Sequence, residues 1–526
     1  MKIYLCQTSP KAGDLSKNHQ IIVDLYQKAF ELNANICLFP ELSTSGYMAG
    51  DLFLQEGFLS DIQQMVSKLV EMTKSTCLLL PTAITDPVNS NLYNGVIAAQ
   101  YGRVIGISYK QELPNHGIFD EKRYFARGEP NILTIDGVKV GVPICEDIWH
   151  PEVCKKLQNE GAQIFLVPNG SPYEKKKMSK RIDIVQQRYN ETNIPMIYCN
   201  QILGQDGIIF DGKSFCYDGD LQIIGKGFEI DQALINVVDN KLISSHVYDQ
   251  SLDIYREMFD AMILGLRDYV KDNNFGHAIL GLSGGIDSAI VAIIAKEALG
   301  AENVTAYMLP SQFTSKISLQ DAQEVASIVG IQLELINIAN IITSFSEIAS
   351  IKQDSIAYQN LQSRIRGTIL MAKANELNSL LITTGNKSEY AIGYTTIYGD
   401  MNGAFNPIKD IYKTELYNLA IYINQYICTI PQSILTKEPS AELAYNQKDS
   451  DSLPKYSELD KILEDHIENG LNCAELSLKY GKHLATRIVQ LIKNSEFKRK
   501  QSAPGVKIST TSFDKDRRFP TTNFYH

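Results

Sequence analysis

The stretch "LGLSGGIDSAIVA", residues 280–292, links two apolar runs through two hydroxyls, two adjacent glycines and a carboxylate. Extended on both sides it reads as a strand, "HAILGL", a turn, "SGGIDS", and a helix, "AIVAIIAKEALG", with Gly300 as its stop. A strand-to-helix turn leaves N–H groups unpaired at the helix N-terminus, where orphan donors and the helix dipole attract anions. Gly284 and Gly285 are expected to let the backbone approach a phosphate, and Ser283 and Ser288 add hydroxyl donors. Asp287 is a poor neighbour for a phosphate unless it holds a Mg2+ that bridges phosphate oxygens. The loop lacks the G-x-x-x-x-G-K-[ST] pattern, so a lysine-gripped γ-phosphate is not indicated. Further strand–helix units follow: "VTAYMLP", a helical pattern at 318–329, and "SLLITTG". They predict a doubly wound parallel sheet.

The half of the chain before this loop also alternates strands and helices. "KIYLCQ", "NICLFPE", "TCLLLPTAI", "RVIGISYK", "VKVGVPICE", "AQIFLVPNG" and "PMIYCNQ" read as strands, and 17–33 and 60–74 as helices. Around 208–227, Asp-Gly pairs predict successive hairpins. A polar break at 240–252 precedes a helical pattern starting near Tyr255, which predicts domains at 1–246 and 255–526 joined by a linker at 247–254. Two domains suit 526 residues. A net charge of −10 argues against broad nucleic-acid binding, which needs a basic face. Nine cysteines without a CxxC pair read as reduced thiols of a cytoplasmic protein. The N-terminal "MKIYLCQTSP" is too short in apolar residues for a signal peptide, and no run suggests a membrane span.

Three residues of the first half each end an apolar run: Glu41 after "ICLFP", Lys110 after "RVIGISY" and Cys145 after "VGVPI". Strand ends of an open α/β sheet gather on one rim. A thiol, an amine and a carboxylate there are the parts for nucleophilic acyl transfer. Glu41 would take the thiol proton, and Lys110 would stabilise the thiolate and the oxyanion. Glu146 and Asp147 beside Cys145 would raise its pKa, so a compensating cation is required.

The motifs "FPELSTSGY", "YKQELPNHGIFDEKRYF" and "GVPICEDIWHP" resemble the nitrilase, or carbon–nitrogen hydrolase, family over roughly 1–245. That resemblance implies an α-β-β-α sandwich, with Glu41 as base, Lys110 as stabiliser, Cys145 as nucleophile and Glu121 as a supporting carboxylate. It implies glutamine as substrate, with Ser171 in "NGSPY" and Lys177 as contacts. His116 stands where tyrosine is common and Lys177 where arginine is common. An ammonium does not clamp a carboxylate as a guanidinium does.

The strand–SGGxDS–helix pattern resembles the pyrophosphate loop of AMP-forming, ATP-dependent amidating enzymes, whose domain is adenine nucleotide alpha hydrolase-like. Over 255–526, "NLQSRIRG", "TTGNKSEYAIGYTTIYGDMNGAFNP", "KDIYKTEL", "KEPSAEL" and "FKRKQSAPGVKIS" are similar to its NAD+ synthetase branch. By that resemblance Gly281, Leu282, Ser283, Gly284, Gly285, Ile286, Asp287 and Ser288, with Thr384 and Lys413, contact ATP. Asp287 and Glu389 hold Mg2+. Arg364, Asp400 and Lys498, with Asn360 and Glu389, hold deamido-NAD+. The two resemblances together imply a homo-oligomeric ligase of small molecules that frees ammonia from glutamine and amidates a nicotinate dinucleotide with ATP. A ligase of another acid and a non-catalytic nucleotide sensor are the competing readings. The "TTGNKSE…YGD" stretch speaks against the first, and the intact acidic, basic and thiol residues against the second.

Overall fold

The computed structural model describes residues 1–249 and 253–524. The chain divides into two units, Met1–Leu203 with Ile209–Leu252, and Gly204–Ile208 with Asp253–His526. The expected linker at 247–254 lies partly outside the described residues, at 250–252.

The first unit begins with β1 (Lys2–Gln7), α1 (Leu15–Glu31), β2 (Ile36–Leu38), α2 (Glu56–Glu71), β3 (Cys77–Thr85), β4 (Leu92–Gln100) and β5 (Arg103–Tyr109). Then come β6 (Ile132–Ile135), β7 (Val138–Gly141), α3 (Pro151–Asn159), β8 (Ile164–Asn169), α4 (Lys177–Thr192) and β9 (Met196–Asn200). It closes with β10 (Ile202–Gln205) and β11 (Ile208–Asp211), of which Gly204, Gln205 and Ile208 are counted in the second unit, and with β12 (Phe215–Tyr217), β13 (Leu221–Ile223), β14 (Asp231–Val238) and β15 (Lys241–Ser244). Seven strands form one sheet in the order β15-β14-β1-β2-β3-β4-β5, and six form another in the order β13-β12-β9-β8-β7-β6.

Strand residues alternate between faces. Ile3, Leu5, Ile36 and Leu38 of the first sheet share a core with Val140, Ile164, Leu166 and Ile197 of the second. The opposite faces are apolar too: Tyr4, Cys6 and Cys37 pack on α1 and α2, and Phe165, Val167 and Tyr198 pack on α3 and α4. Helix, sheet, sheet and helix therefore stack in four layers, the α-β-β-α sandwich expected. One turn differs from the sequence reading. Asp218–Gly219 does turn a hairpin between β12 and β13. Asp211–Gly212 does not, because β11 pairs with β10 and β12 pairs with β9. The Gln7 side chain fills the place of that hairpin, accepting from Ser214 N at 3.0 Å, and Gly212 at φ +64 leaves it room.

In the second unit α5 (Ile254–Asp272) precedes β16 (Ala278–Gly281), α6 (Ile286–Leu299), β17 (Val304–Met308), α7 (Lys316–Val329) and β18 (Gln332–Leu335). There follow α8 (Ala339–Ile348), α9 (Ile356–Glu376), β19 (Leu380–Ile382), α10 (Lys387–Ile392) and α11 (Lys413–Tyr426). The four strands are parallel in the order β18-β17-β16-β19, so the order reverses between β16 and β19. Ligands of such sheets bind outside the strand carboxyl ends at that switch. Ile279, Tyr307 and Leu381 pack on α8 and α9, while Ala278, Leu280 and Ala306 on the other face are equally buried. A helix that packs on such a sheet and is itself covered by other helices is apolar all round. α6 is that helix, with Ile286, Ala289, Ile290, Val291, Ala292, Ile293, Ile294 and Ala295 buried. No helix among the described residues is long and apolar enough to cross a membrane.

Ile290→Ala is expected to destabilise this unit by about 2–5 kcal/mol, the transfer loss plus the cavity left behind. Urea denaturation of the full chain followed by far-UV dichroism reads it.

Candidate active sites

Both sites lie where strands end. In the first unit Glu41 follows β2 by a short turn, Lys110 follows β5 directly, and Cys145 opens a 3₁₀ turn, Cys145–Trp149, after β7. Cys145 has φ +46, a left-handed conformation costly for a residue with a side chain and characteristic of constrained functional turns. Asp147 ties the turns together. One carboxylate oxygen accepts from Gln111 N at 3.1 Å and Glu112 N at 2.8 Å, next to Lys110, and the other from Ile144 N at 2.9 Å, next to Cys145. Its charge is therefore spent on backbone; burial nonetheless pushes it up to about 7.

The Lys110 ammonium is fully buried and donates to Glu41 Oε1 and Glu121 Oε1, each at 2.7 Å. Asn94 Nδ2 donates to Glu41 Oε1 at 2.8 Å, and Gly170 N to Oε2 at 2.8 Å. The Tyr47 hydroxyl donates to Glu121 Oε1 at 2.5 Å. Burial would lower the Lys110 pKa, but Glu121 and Glu41 outweigh it and hold it well above the usual lysine range. Burial pushes Glu121 up to about 7 despite Lys110. Burial and then Glu41 push the Cys145 thiol well up, against the opposing pull of Lys110. At neutral pH the sulfur carries its proton, and a base must remove it before attack.

The expected glutamine contacts are spread around this cluster. Ser171, at the end of β8, is buried, and Lys177 opens α4 with its ammonium 5.3 Å from the Trp149 ring and 3.7 Å from Glu174. His116 is exposed, 3.7 Å from Glu146, whose carboxylate also meets His150 at 3.9 Å. Asn94 and Tyr47 escaped the sequence reading. Asn94 sits inside an ordinary strand; Tyr47 ends the quoted "FPELSTSGY" motif, the one available signal.

In the second unit the glycine loop after β16 borders a cavity of about 310 Å³ at the switch between β16 and β19. Gly281, Leu282, Ser283, Gly285, Ile286, Asp287 and Ser288 line it, as do Thr384, Glu389, Asp400 and Lys413. Gly284 lines no part of it. Its φ is +76, and a Cβ there would lie 2.2 Å from the Ser318 carbonyl, so a helix crossing behind the loop demands the glycine. Ser283 and Ser288 hydroxyls bond each other at 3.1 Å and fix the turn.

Lys413 bridges the acids of this site, pairing with Asp287 and lying 3.7 Å from Glu389. Asn386 caps α10 reciprocally with Glu389 and donates to Asp287 Oδ1 at 2.8 Å. Burial and then Asp287 push Glu389 up to about 8. Two half-buried carboxyl groups with hard oxygens suit a divalent cation. No group of three His, Cys, Asp or Glu forms a cage among the described residues, so such an ion would need oxygens from a nucleotide as well. Arg366 and Lys437 also line the cavity and were not singled out in the sequence.

Asn360, Arg364, Asp400 and Lys498 converge on one loop, 393–400. The Thr396 hydroxyl donates to Asn360 at 2.9 Å, Arg364 donates to Ile397 O at 3.2 Å, Thr396 N donates to Asp400 at 2.6 Å, and Lys498 donates to Gly393 O and Thr395 O at 2.7 Å. Of the four, Asp400 alone lines the cavity.

Fold and sites define a carbon–nitrogen hydrolase joined to a nucleotide-activating domain. The carbon–nitrogen hydrolase family model matches residues 2–242, and the NAD synthase family model matches 258–502. The glutamine-dependent NAD(+) synthetase of Xanthomonas campestris pv. campestris is 38% identical, covering 100% of this chain and 98% of its own. That of Thermotoga maritima is 36% identical over 99% of this chain and 98% of its own. The solved structure of the Acinetobacter baumannii synthetase with adenosine diphosphate is 35% identical, with TM-score 0.80, over 99% of this chain and 98% of that one. The chain belongs to the glutamine-dependent NAD+ synthetases, ligases that carry out the final step of NAD biosynthesis with a glutaminase and an NAD synthase domain.

Lys110→Met leaves Glu41 and Glu121 buried without a cation. It is expected to destabilise the first unit by about 3–5 kcal/mol and to abolish glutamine hydrolysis. Urea denaturation and a glutamate-release assay measure the two effects.

Proposed function

We propose that the two sites divide the reaction, and that Lys110 held between Glu41 and Glu121 in the site of Cys145 is the observation that carries this reading. Glu41 accepts the Cys145 proton as sulfur attacks the glutamine carboxamide carbon. The Lys110 ammonium offsets the charge on the tetrahedral oxygen. Glu41 then returns the proton to the nitrogen, the C–N bond breaks, and ammonia leaves a γ-glutamyl thioester. A water molecule deprotonated by Glu41 cleaves the thioester, releasing glutamate and restoring the thiol. Ser171, Lys177 and His116 serve as glutamine contacts, with Lys177 providing a point charge.

In the second unit the 281–288 loop, Thr384 and Lys413 hold ATP. The carboxylate of deamido-NAD+ attacks the α-phosphorus and diphosphate departs. Ammonia then attacks the adenylated carbonyl, giving NAD+ and AMP. Asn360, Arg364, Asp400 and Lys498 hold the dinucleotide through the 393–400 loop, with Glu389 nearby. Asp287 and Glu389 would hold Mg2+, which when bound offsets the charge of the departing diphosphate. Lys413 supplies positive charge between those carboxylates and keeps Asp287 oriented.

Cys145→Ala is expected to lose NAD+ synthesis from glutamine while keeping synthesis from ammonium salt, followed by NAD+ formation with each nitrogen source. Equal loss of both would break the two-site assignment. Asp287→Asn is expected to lose synthesis from either source by at least about 100-fold, the scale of one lost transition-state electrostatic contact. Full activity would remove Asp287 from the ATP site.

A further inference from the structure

The turn after β8 holds two of the groups used above, and neither is held by its own neighbours in the chain. Gly170 N is the donor on Glu41 Oε2, and Ser171 is the assigned glutamine contact. The anchor comes from α4, where Arg181 has an entirely buried guanidinium. Nε donates to the Ser171 hydroxyl oxygen at 3.0 Å, and Nη2 to the Ser171 carbonyl at 2.8 Å and the Pro172 carbonyl at 2.9 Å. Nη1 pairs with Asp211 at 2.8 Å, an ion pair as buried as the guanidinium itself. Asn200 completes the hold, accepting from Ser171 N at 3.0 Å and donating to its carbonyl at 3.1 Å.

A guanidinium only donates, so the Ser171 oxygen must accept from it and the hydroxyl hydrogen points elsewhere. That hydrogen is left for another acceptor, such as an oxygen of a bound substrate. The fork therefore fixes both the place of Ser171 and its role as a hydrogen-bond donor. Its carbonyl contacts hold the peptides that follow Ser171 and Pro172, in the same turn as the Gly170 N–H that donates to Glu41. Lysine can supply a charge to Asp211 but not a planar fork across three further oxygens.

We infer that Arg181, charged against Asp211, is a positioning residue of the glutaminase site, which holds the 170–172 turn so that Ser171 donates to glutamine and Gly170 N–H aims Glu41. This inference rests on the reading of Ser171 as a glutamine contact.

The test uses the full chain and four proteins: parent, Ser171→Ala, Arg181→Lys, and the double variant. Arg181→Lys is expected to lower kcat/KM for glutamine by about 10- to 100-fold, the range of a lost charged hydrogen bond. Ammonium-driven NAD+ synthesis should stay within twofold of parent. In the Arg181→Lys background, Ser171→Ala should cost less than about twofold further, because the two act as one unit. A merely structural Arg181 would instead give multiplied losses, or lower the amount of active enzyme without changing KM, and either result overturns the inference. If Arg181→Lys does not fold, Arg181→Met/Asp211→Leu removes both charges together and leaves neither buried alone. A folded double variant with glutamine kcat/KM within twofold of parent likewise overturns it. An unchanged kcat/KM for glutamine in Ser171→Ala alone overturns the reading of Ser171; a loss there with none in Arg181→Lys overturns only the role of Arg181.

Discussion

The Lys110 ammonium lies between Glu41 and Glu121 with no face open to water, and the arrangement of the glutaminase site follows from it. Charges taken out of water cost several kcal/mol each unless their hydrogen-bonding capacity is met. Asn94 and Gly170 satisfy Glu41, and Tyr47 satisfies one oxygen of Glu121. The remaining oxygen, Glu121 Oε2, has no hydrogen-bond partner among the described residues. Each of these donors comes from a different stretch of chain, so a shift of any one would leave a buried charge underpaired. Burial first, and then the Glu41 charge, keep the nearby thiol protonated against the pull of Lys110.

The second unit repeats this charge pattern in a different setting. Lys413 meets Asp287 and Glu389, again two acids to one ammonium. Here the cluster borders a cavity where the sheet order reverses, rather than being sealed. A closed cluster suits chemistry in which one proton moves between sulfur, carboxylate and nitrogen. An open one, with two carboxyl groups at the edge of a cavity, suits a cation and a polyphosphate that arrive together and leave separately.

What the sequence made legible was what periodicity points at. Glu41, Lys110 and Cys145 follow apolar runs, and strand ends are where an α/β sheet presents side chains. The glycine loop was readable for the same reason, since β16 and α6 flank it with unbroken apolar runs. Residues whose importance comes from long-range packing gave no such signal. Arg181 lies in "KMSKRIDIVQQRYNET", a helix rich in charges in which an arginine would ordinarily face water. Its burial depends on Asp211, thirty positions on, which sequence patterning assigns to a hairpin turn. Gly284 was read as making room for a phosphate, whereas the Ser318 carbonyl is what requires it. In each case the deciding partner lies on an element that local spacing cannot bring near.

Cys145 shows why such partners matter to the chemistry. Its left-handed backbone turns the residue sharply away from the strand direction, and its pKa is pushed up by burial and Glu41. A thiol held that high is a poor nucleophile and resists oxidation, because the thiolate is the reactive species in both cases. In the proposed mechanism reactivity then depends on proton transfer to a base already in position. Glu41 has that position because Lys110, Asn94 and Gly170 N–H each restrain it. Had the site relied on a standing thiolate, Lys110 alone would have to offset the burial of sulfur's charge as well as two carboxylates. Keeping the proton on sulfur until an amide is bound removes that demand, and on the proposed roles it makes the aim of one carboxylate, rather than the basicity of the thiol, the quantity on which turnover would depend.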